Sequence, residues 1–375
     1  MSRRAALLLV GGALVQLSVP RPAPARAGTP AVLPAGRLAP LLAAHAQALR
    51  TGELAPLRLA QLDYRPTSWD AETVSAELSY RLTGFDDDPV VLQRRIALAD
   101  GAVSGETPAP GSAVAPWDLG DPTPVRGAHC VVLGPAAPEE LTLLATLADQ
   151  AVAAVSAVWG DAWAGRLVLQ LPTTEAQFTQ LLGADPRTYS DMAAVTVAAA
   201  GAPLHTPADR VLVNPDGFRQ LSAFGRQAVL THESTHVATR ADTHPWTPLW
   251  LSEGVADYTG YLNTGRTARQ IAPELTEDVA AGKLPTALPA DADFSAGSAG
   301  IAQAYELSWL ACNLIATEHG PQTLVDVYRA VGAAGPGAGR EQQLDSVFGE
   351  HLGYGLAEFT KRWIAEVLRQ VGPDN

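Results

Sequence analysis

The chain has 375 residues and a formal net charge of −13, with 47% hydrophobic and 17% charged residues. That balance excludes a disordered chain. An acidic protein without a basic run is a poor binder of nucleic acid or of anionic membrane, so both are excluded as partners. The length allows two domains or one large one.

Residues 1–27 begin the chain order. Arg3 and Arg4 precede an apolar run from Ala5 to Val19, and Ala25-Arg26-Ala27 follows as a small-x-small cleavage site. As a helix the run rises about 22 Å, short of the roughly 30 Å of a bilayer core. The expectation is a cleaved signal peptide and a secreted, extracellular protein with no stable membrane insertion. The Ser2-Arg3-Arg4 start leaves the twin-arginine route open. No other apolar run is read as long enough to span. Cys130 and Cys312 are the two cysteines, each among apolar residues; separately buried thiols are favoured over a disulfide.

Residues 38–63 read as mainly helical, broken near Gly52 and Pro56. In residues 73–84, Val74, Ala76, Leu78, Tyr80 and Leu82 alternate with polar residues, the pattern of a half-buried strand. Phe85-Asp86-Asp87-Asp88-Pro89 reads as a solvated turn. Leu92, Ile96 and Leu98 mark a second strand. The expectation is a small α+β domain over 36–118, of nuclear-transport-factor-2 (NTF2) or cystatin type. The Pro- and Gly-rich stretch 108–124 is the linker, and Trp117 within it is expected to pack.

From 125 to 371 the pattern changes. Residues 126–134 read as a strand, and Pro138-Glu139-Glu140 opens a long helix that ends near Gly160. Residues 166–172, 193–199 and 210–215 are short strands, with a capped helix at 173–183 between the first two. The remainder is almost all helix, at about 221–240, 248–262, 268–282, 298–319, 321–332 and 354–370. The fold class is therefore α+β, strands first and helices after.

The first of those helices carries His232-Glu233-Ser234-Thr235-His236. Residues i and i+4 share a helix face, so both imidazoles can reach one tetrahedral metal. Glu233 projects beside them, placed to take a proton from a water activated at the metal. Two histidines on a surface helix would look the same, so a third ligand is needed. Glu253 supplies it, 17 residues beyond His236 at the start of the next helix. The set His232, His236 and Glu253 leaves a fourth position open, as a catalytic zinc requires. Asp257 lies four residues after Glu253 and can accept the spare N–H of His232.

The pair His-Glu-Ser-Thr-His and Trp-Leu-Ser-Glu-Gly-Val-Ala-Asp-Tyr (residues 232–236 and 250–258) resembles the gluzincin metallopeptidases, which include the thermolysin and aminopeptidase N families. The resemblance implies a zincin-like catalytic domain, one Zn2+ ion and a peptide or protein substrate. It also implies that Tyr305, in Gln303-Ala304-Tyr305-Glu306, stabilises the oxyanion; His244 and His319 are rival donors. The metzincin pattern fails, because Thr239 and Asp242 stand where it needs Gly and His. The Gly-x-Met-Glu-Asn segment of the aminopeptidase N family is absent, and residues 193–199 are the substitute edge strand for an extended peptide. Trp246 and Trp250 are read as packing first and as cleft wall second. His45, His129, His205 and His351 are isolated and read as structural or exposed. The expectation is a secreted zinc-dependent peptidase with Glu233 as general base. The alternative is an exported, non-catalytic binding module stapled by zinc.

Overall fold

The computed structural model describes residues 34–183, 192–197, 209–295, 297–335 and 339–373. The expected signal peptide, His205 and the last two residues of the 193–199 strand lie outside them.

The N-terminal part is one helix on a meander. Helix α1 (Ala35–Thr51) precedes β1 (Leu59–Trp69), β2 (Thr73–Leu82), β3 (Val90–Ala99) and β4 (Ala102–Pro108), antiparallel in the order β1-β2-β3-β4. The alternation in β2 puts Val74, Ala76, Leu78, Tyr80 and Leu82 on one buried face. One end of that face takes Leu38 and Leu42 of α1. The expected helix over 38–63 therefore stops early, and its last residues are already β1. That strand sits at the sheet edge, where Pro66 is tolerated beside a register shift.

A second sheet follows, ordered β5 (Val125–Arg126), β6 (Cys130–Leu133), β7 (Leu167–Gln170), β9 (Arg210–Val213), β8 (Ala194–Val197). The three central strands are parallel and both edges antiparallel. Strands β6 and β7 are buried throughout because both faces are covered. Cys130, Val132, Leu167 and Leu169 pack toward helix α2 (Pro138–Trp159). Val131, Leu133 and Val168 pack instead against Leu57, Leu78 and Leu92 of the N-terminal part.

By length and composition α2 is the one described helix that could cross a membrane, a run not recognised from the sequence. Nine of its residues, among them Leu141, Ala148, Val155 and Trp159, are buried in the core, which accounts for its apolar character. Beyond β9 the chain is helical: α4 (Pro215–Gln220), α5 (Ala223–Thr239), α6 (Leu249–Tyr261), α7 (Ala268–Ile271), α8 (Pro273–Ala280), α9 (Ile301–His319), α10 (Pro321–Ala333), α11 (Arg340–Leu352) and α12 (Leu356–Val371), with α3 (Glu175–Leu182) earlier, between β7 and β8. The expected helix over 268–282 is two helices, divided where Pro273 removes a backbone donor. A β-rich region is thus followed by a mostly helical one that holds the zinc motif.

Candidate metal centre

Helix α5 carries the first motif and is buried almost all round from Ala228 to Thr239. It is rich in hydroxyls, which would be costly to bury unpaired. They are paired: Thr231, Ser234 and Thr235 donate to the carbonyls of Gln227, Leu230 and Thr231 at 2.9, 2.6 and 2.8 Å. Ser222 opens the helix by accepting from Gly225 N at 3.1 Å. Helix α6 has no capping side chain of its own. Asp291 from far along the chain supplies the acceptor, 3.0 Å from Leu249 N.

Two glycines let the helices close. A Cβ at Gly254 would overlap the Ser308 carbonyl and sit 2.7 Å from Cys312 Sγ on α9. A Cβ at Gly260 would lie 3.1 Å from the Ala228 carbonyl on α5. Close approach on both sides brings Glu253 over the histidine face.

The three expected ligands converge. His232 Nε2 and His236 Nε2 are 3.1 Å apart. Glu253 Oε2 lies 3.2 Å from the first and 3.4 Å from the second. Tetrahedral zinc with bonds of 2.0–2.1 Å requires ligand atoms about 3.3–3.4 Å apart, so the triangle has the right edge. All three residues are buried. Glu253 Oε2 accepts no hydrogen bond, although it is fully buried. A buried carboxylate oxygen facing two imidazole nitrogens, with no donor of its own, suits a cation at their common point. Two nitrogens, one oxygen and an open fourth position fit zinc.

The surrounding charges are tuned by burial and by one another. His232 Nδ1 lies 2.8 Å from Asp257 Oδ1. Burial opposes charge on His232, but Asp257 outweighs it and holds the imidazole well above its ordinary pKa. In the neutral ring, which is the form that binds metal, Asp257 accepts the proton on Nδ1 and Nε2 presents its lone pair to the metal point. Burial pushes Glu253 up, yet His236 and His232 outweigh it and hold the carboxyl below the usual range. Glu233 goes the other way: burial wins over the pull of His232 and His236 and raises it. His236 Nδ1, unlike His232 Nδ1, is buried without a partner among the described residues.

Tyr305 is buried on α9 with its ring centroid 6.4 Å from that of His232. Burial, then the charges of Glu253, Asp257 and Glu233, push its phenol well above the ordinary range. It therefore remains a hydroxyl donor. The rival histidines have other contacts. His319 ends α9 fourteen residues on, about 21 Å along the axis, and meets the Tyr354 hydroxyl at 3.0 Å. His244 stacks on Trp246, which donates to the Gly332 carbonyl at 2.9 Å. Trp250 is core, packed on Phe348 and Phe359. Both tryptophans are thus packing residues.

One residue escaped the sequence reading. Thr196 on β8 donates to Glu233 Oε2 at 2.7 Å and lies 3.0 Å from the Glu233 carbonyl. Its signal was a lone hydroxyl in an apolar strand, on the same face as Ala194.

No known family description and no curated protein matches the sequence. Solved structures similar to it include two M1 zinc metallopeptidases. One is a two-domain M1 zinc metallopeptidase, crystallised as an alanine variant bound to L-arginine: 15% identity, 67% of this chain, 51% of that one, TM-score 0.34. The other is an M1 zinc metallopeptidase from Deinococcus radiodurans: 14% identity, 82% of this chain, 61% of that one, TM-score 0.35. The chain thus spans between half and two thirds of the length of these structures, and superpositions this loose do not define a shared fold. The geometry stands without them: a compact His-His-Glu triad that could hold a metal ion, with a glutamate beside it, an arrangement consistent with a catalytic zinc metalloenzyme.

Proposed function

We propose that the protein is an exported, zinc-dependent peptidase of gluzincin type, acting on peptide or protein substrates. The observation that carries this reading is the ligand triangle of His232, His236 and Glu253 with Glu233 left outside it. A structural zinc site is closed by a fourth protein ligand and has no use for an adjacent base.

Zinc held by the three residues would supply a Lewis acid for the scissile carbonyl and for the attacking water. Glu233, raised by burial, takes the proton from that water and returns it to the leaving amine. The Tyr305 hydroxyl, kept protonated, donates to the oxyanion as it develops. Asp257 holds His232 in the tautomer that presents Nε2. Strand β8, last in the sheet order among the described residues, would pair its outer edge with an extended substrate.

In this plan residues 36–118 are a small α+β domain of NTF2 or cystatin type, supported by one helix on a four-stranded meander. Residues 125–371 are the catalytic domain, supported by strands before the zinc helix and helices after it. Export rests on residues 1–27 alone, and the N-terminus of the secreted protein decides it.

The test is Glu233→Gln against a quenched-peptide library. The variant is expected to retain one zinc equivalent and to lose about 10²- to 10⁴-fold in cleavage rate. A wild type that binds zinc and cleaves no peptide would return the site to the stapled binding module.

A further inference from the structure

We propose that Thr196 is the positioning residue for the base: its hydroxyl seats the Glu233 carboxylate and ties it to the strand that receives substrate. The inference rests on the peptidase reading and goes beyond it, because neither motif contains Thr196.

A glutamate side chain has three rotatable bonds, so a helix alone does not aim its carboxylate. Glu233 is buried, and among the described residues Thr196 is the one hydrogen-bond donor to its carboxylate. The contact at 2.7 Å has the length of a charge-assisted O–H···O bond. The same hydroxyl is 3.0 Å from the Glu233 carbonyl. A hydroxyl has one proton, and the shorter contact to the charged oxygen takes it. Oε2 is thereby occupied, and Oε1 is left to handle the reacting proton.

Thr196 is itself well anchored. It is fully buried, and its β-branched side chain has few allowed rotamers. It lies in register with Val211 of β9. Strand alternation points Ala194 and Thr196 toward α5, while Val195 faces Phe178, Leu182 and Leu212 on the other side. One strand, last in the sheet order among the described residues, thus fixes the base through its side chain and, in the peptidase reading, meets the substrate along its outer edge. A base and a scissile bond set by the same strand keep a constant spacing, and a misplacement of 1 Å costs on the order of 10²-fold in rate.

A buried threonine merely satisfying its hydroxyl would look alike, so the test separates the two. Thr196→Val keeps the shape and removes the donor, Thr196→Ala removes both, and Thr196→Ser keeps the donor. The proposal expects Val and Ala each to lose about 10- to 100-fold in kcat with KM within about twofold. Ser should recover kcat to within about threefold. Zinc affinity, measured by chelator competition, stays at the wild-type value in all three. In a Glu233→Ala background, Thr196→Val should produce no further loss. An active wild type whose Val and Ala variants keep kcat, or lose it through KM or zinc, overturns the inference alone. A wild type with no peptidase activity overturns the peptidase reading and the inference with it.

Discussion

At the scale of single residues the two histidines are not equivalent. His232 has Asp257 behind it at 2.8 Å, whereas His236 Nδ1 has no partner among the described residues. Orientation and basicity of the metal-facing nitrogen thus depend on one carboxylate. Asp257→Asn keeps an acceptor for Nδ1–H but removes the charge, so Nε2 becomes a weaker donor. Zinc affinity is expected to fall about 10- to 100-fold, read by chelator competition; an unchanged affinity would show that Asp257 is an ordinary buried acid. The ligands were legible in the sequence because their geometry is local. A spacing of four on one helix, then Glu253 and Asp257 four apart on the next, needs only a turn between them. Thr196 was not legible, because its contact with Glu233 exists only once β8 packs on α5. Nothing in the residues around either position encodes that pairing.

At the scale of elements the site is set by how closely α5, α6 and α9 approach. Gly254 faces the Ser308 carbonyl and Cys312 Sγ, and there is no room for a methyl group. The obstacle is backbone, so a larger residue must move a helix. Gly254→Ala is expected to destabilise the fold by about 1–3 kcal/mol, measured by denaturant unfolding. It should also weaken zinc binding, because Glu253 is the preceding residue on the displaced helix; full stability with tight zinc would mean that α6 and α9 are not held by this contact. The elements themselves were readable where one face is buried. Strands β2 and β3 alternate cleanly, and α2 opens on Pro138 with two acids after it. Strand β1 hid behind Asp63, Arg65 and Pro66, which an edge strand can carry at low cost. Helix α11 has its buried Leu344, Val347 and Phe348 at helical spacing. It is missing from the helices read from the sequence, which pass from 321–332 to 354–370.

At the scale of the whole molecule the N-terminal part is built onto the helical one. The turn at Phe85-Asp86-Asp87-Asp88-Pro89, expected to be solvated, is instead an anchor. Asp86 is buried and accepts both Nη1 and Nη2 of Arg210 at 2.9 Å, as well as Leu82 N at 2.8 Å. Arg166 donates to Asp87 Oδ1 at 2.7 Å and to the Phe85 carbonyl at 3.1 Å, and Arg126 lies over the Phe85 ring. Trp117 packs edge-on against Tyr80, and Asp118 binds Arg94 through both oxygens, so residues 116–119 are packed chain and not a free tether. Arg210 also lies opposite Val197 on β8, one residue from Thr196. The anchor therefore bears on the strand that seats the base. A buried arginine that loses its carboxylate keeps its charge and its desolvation cost. Asp86→Asn is expected to destabilise the protein by about 3–5 kcal/mol, read from denaturant unfolding followed by tryptophan fluorescence. Replacing both partners, Asp86→Leu with Arg210→Met, removes the stranded charge and should recover most of that loss. Equal losses in the single and the double variant would mean that the contact is not an ion pair in solution. Because Val131, Leu133 and Val168 pack on Leu57, Leu78 and Leu92, the N-terminal part covers a face of the central sheet that would otherwise be exposed apolar surface.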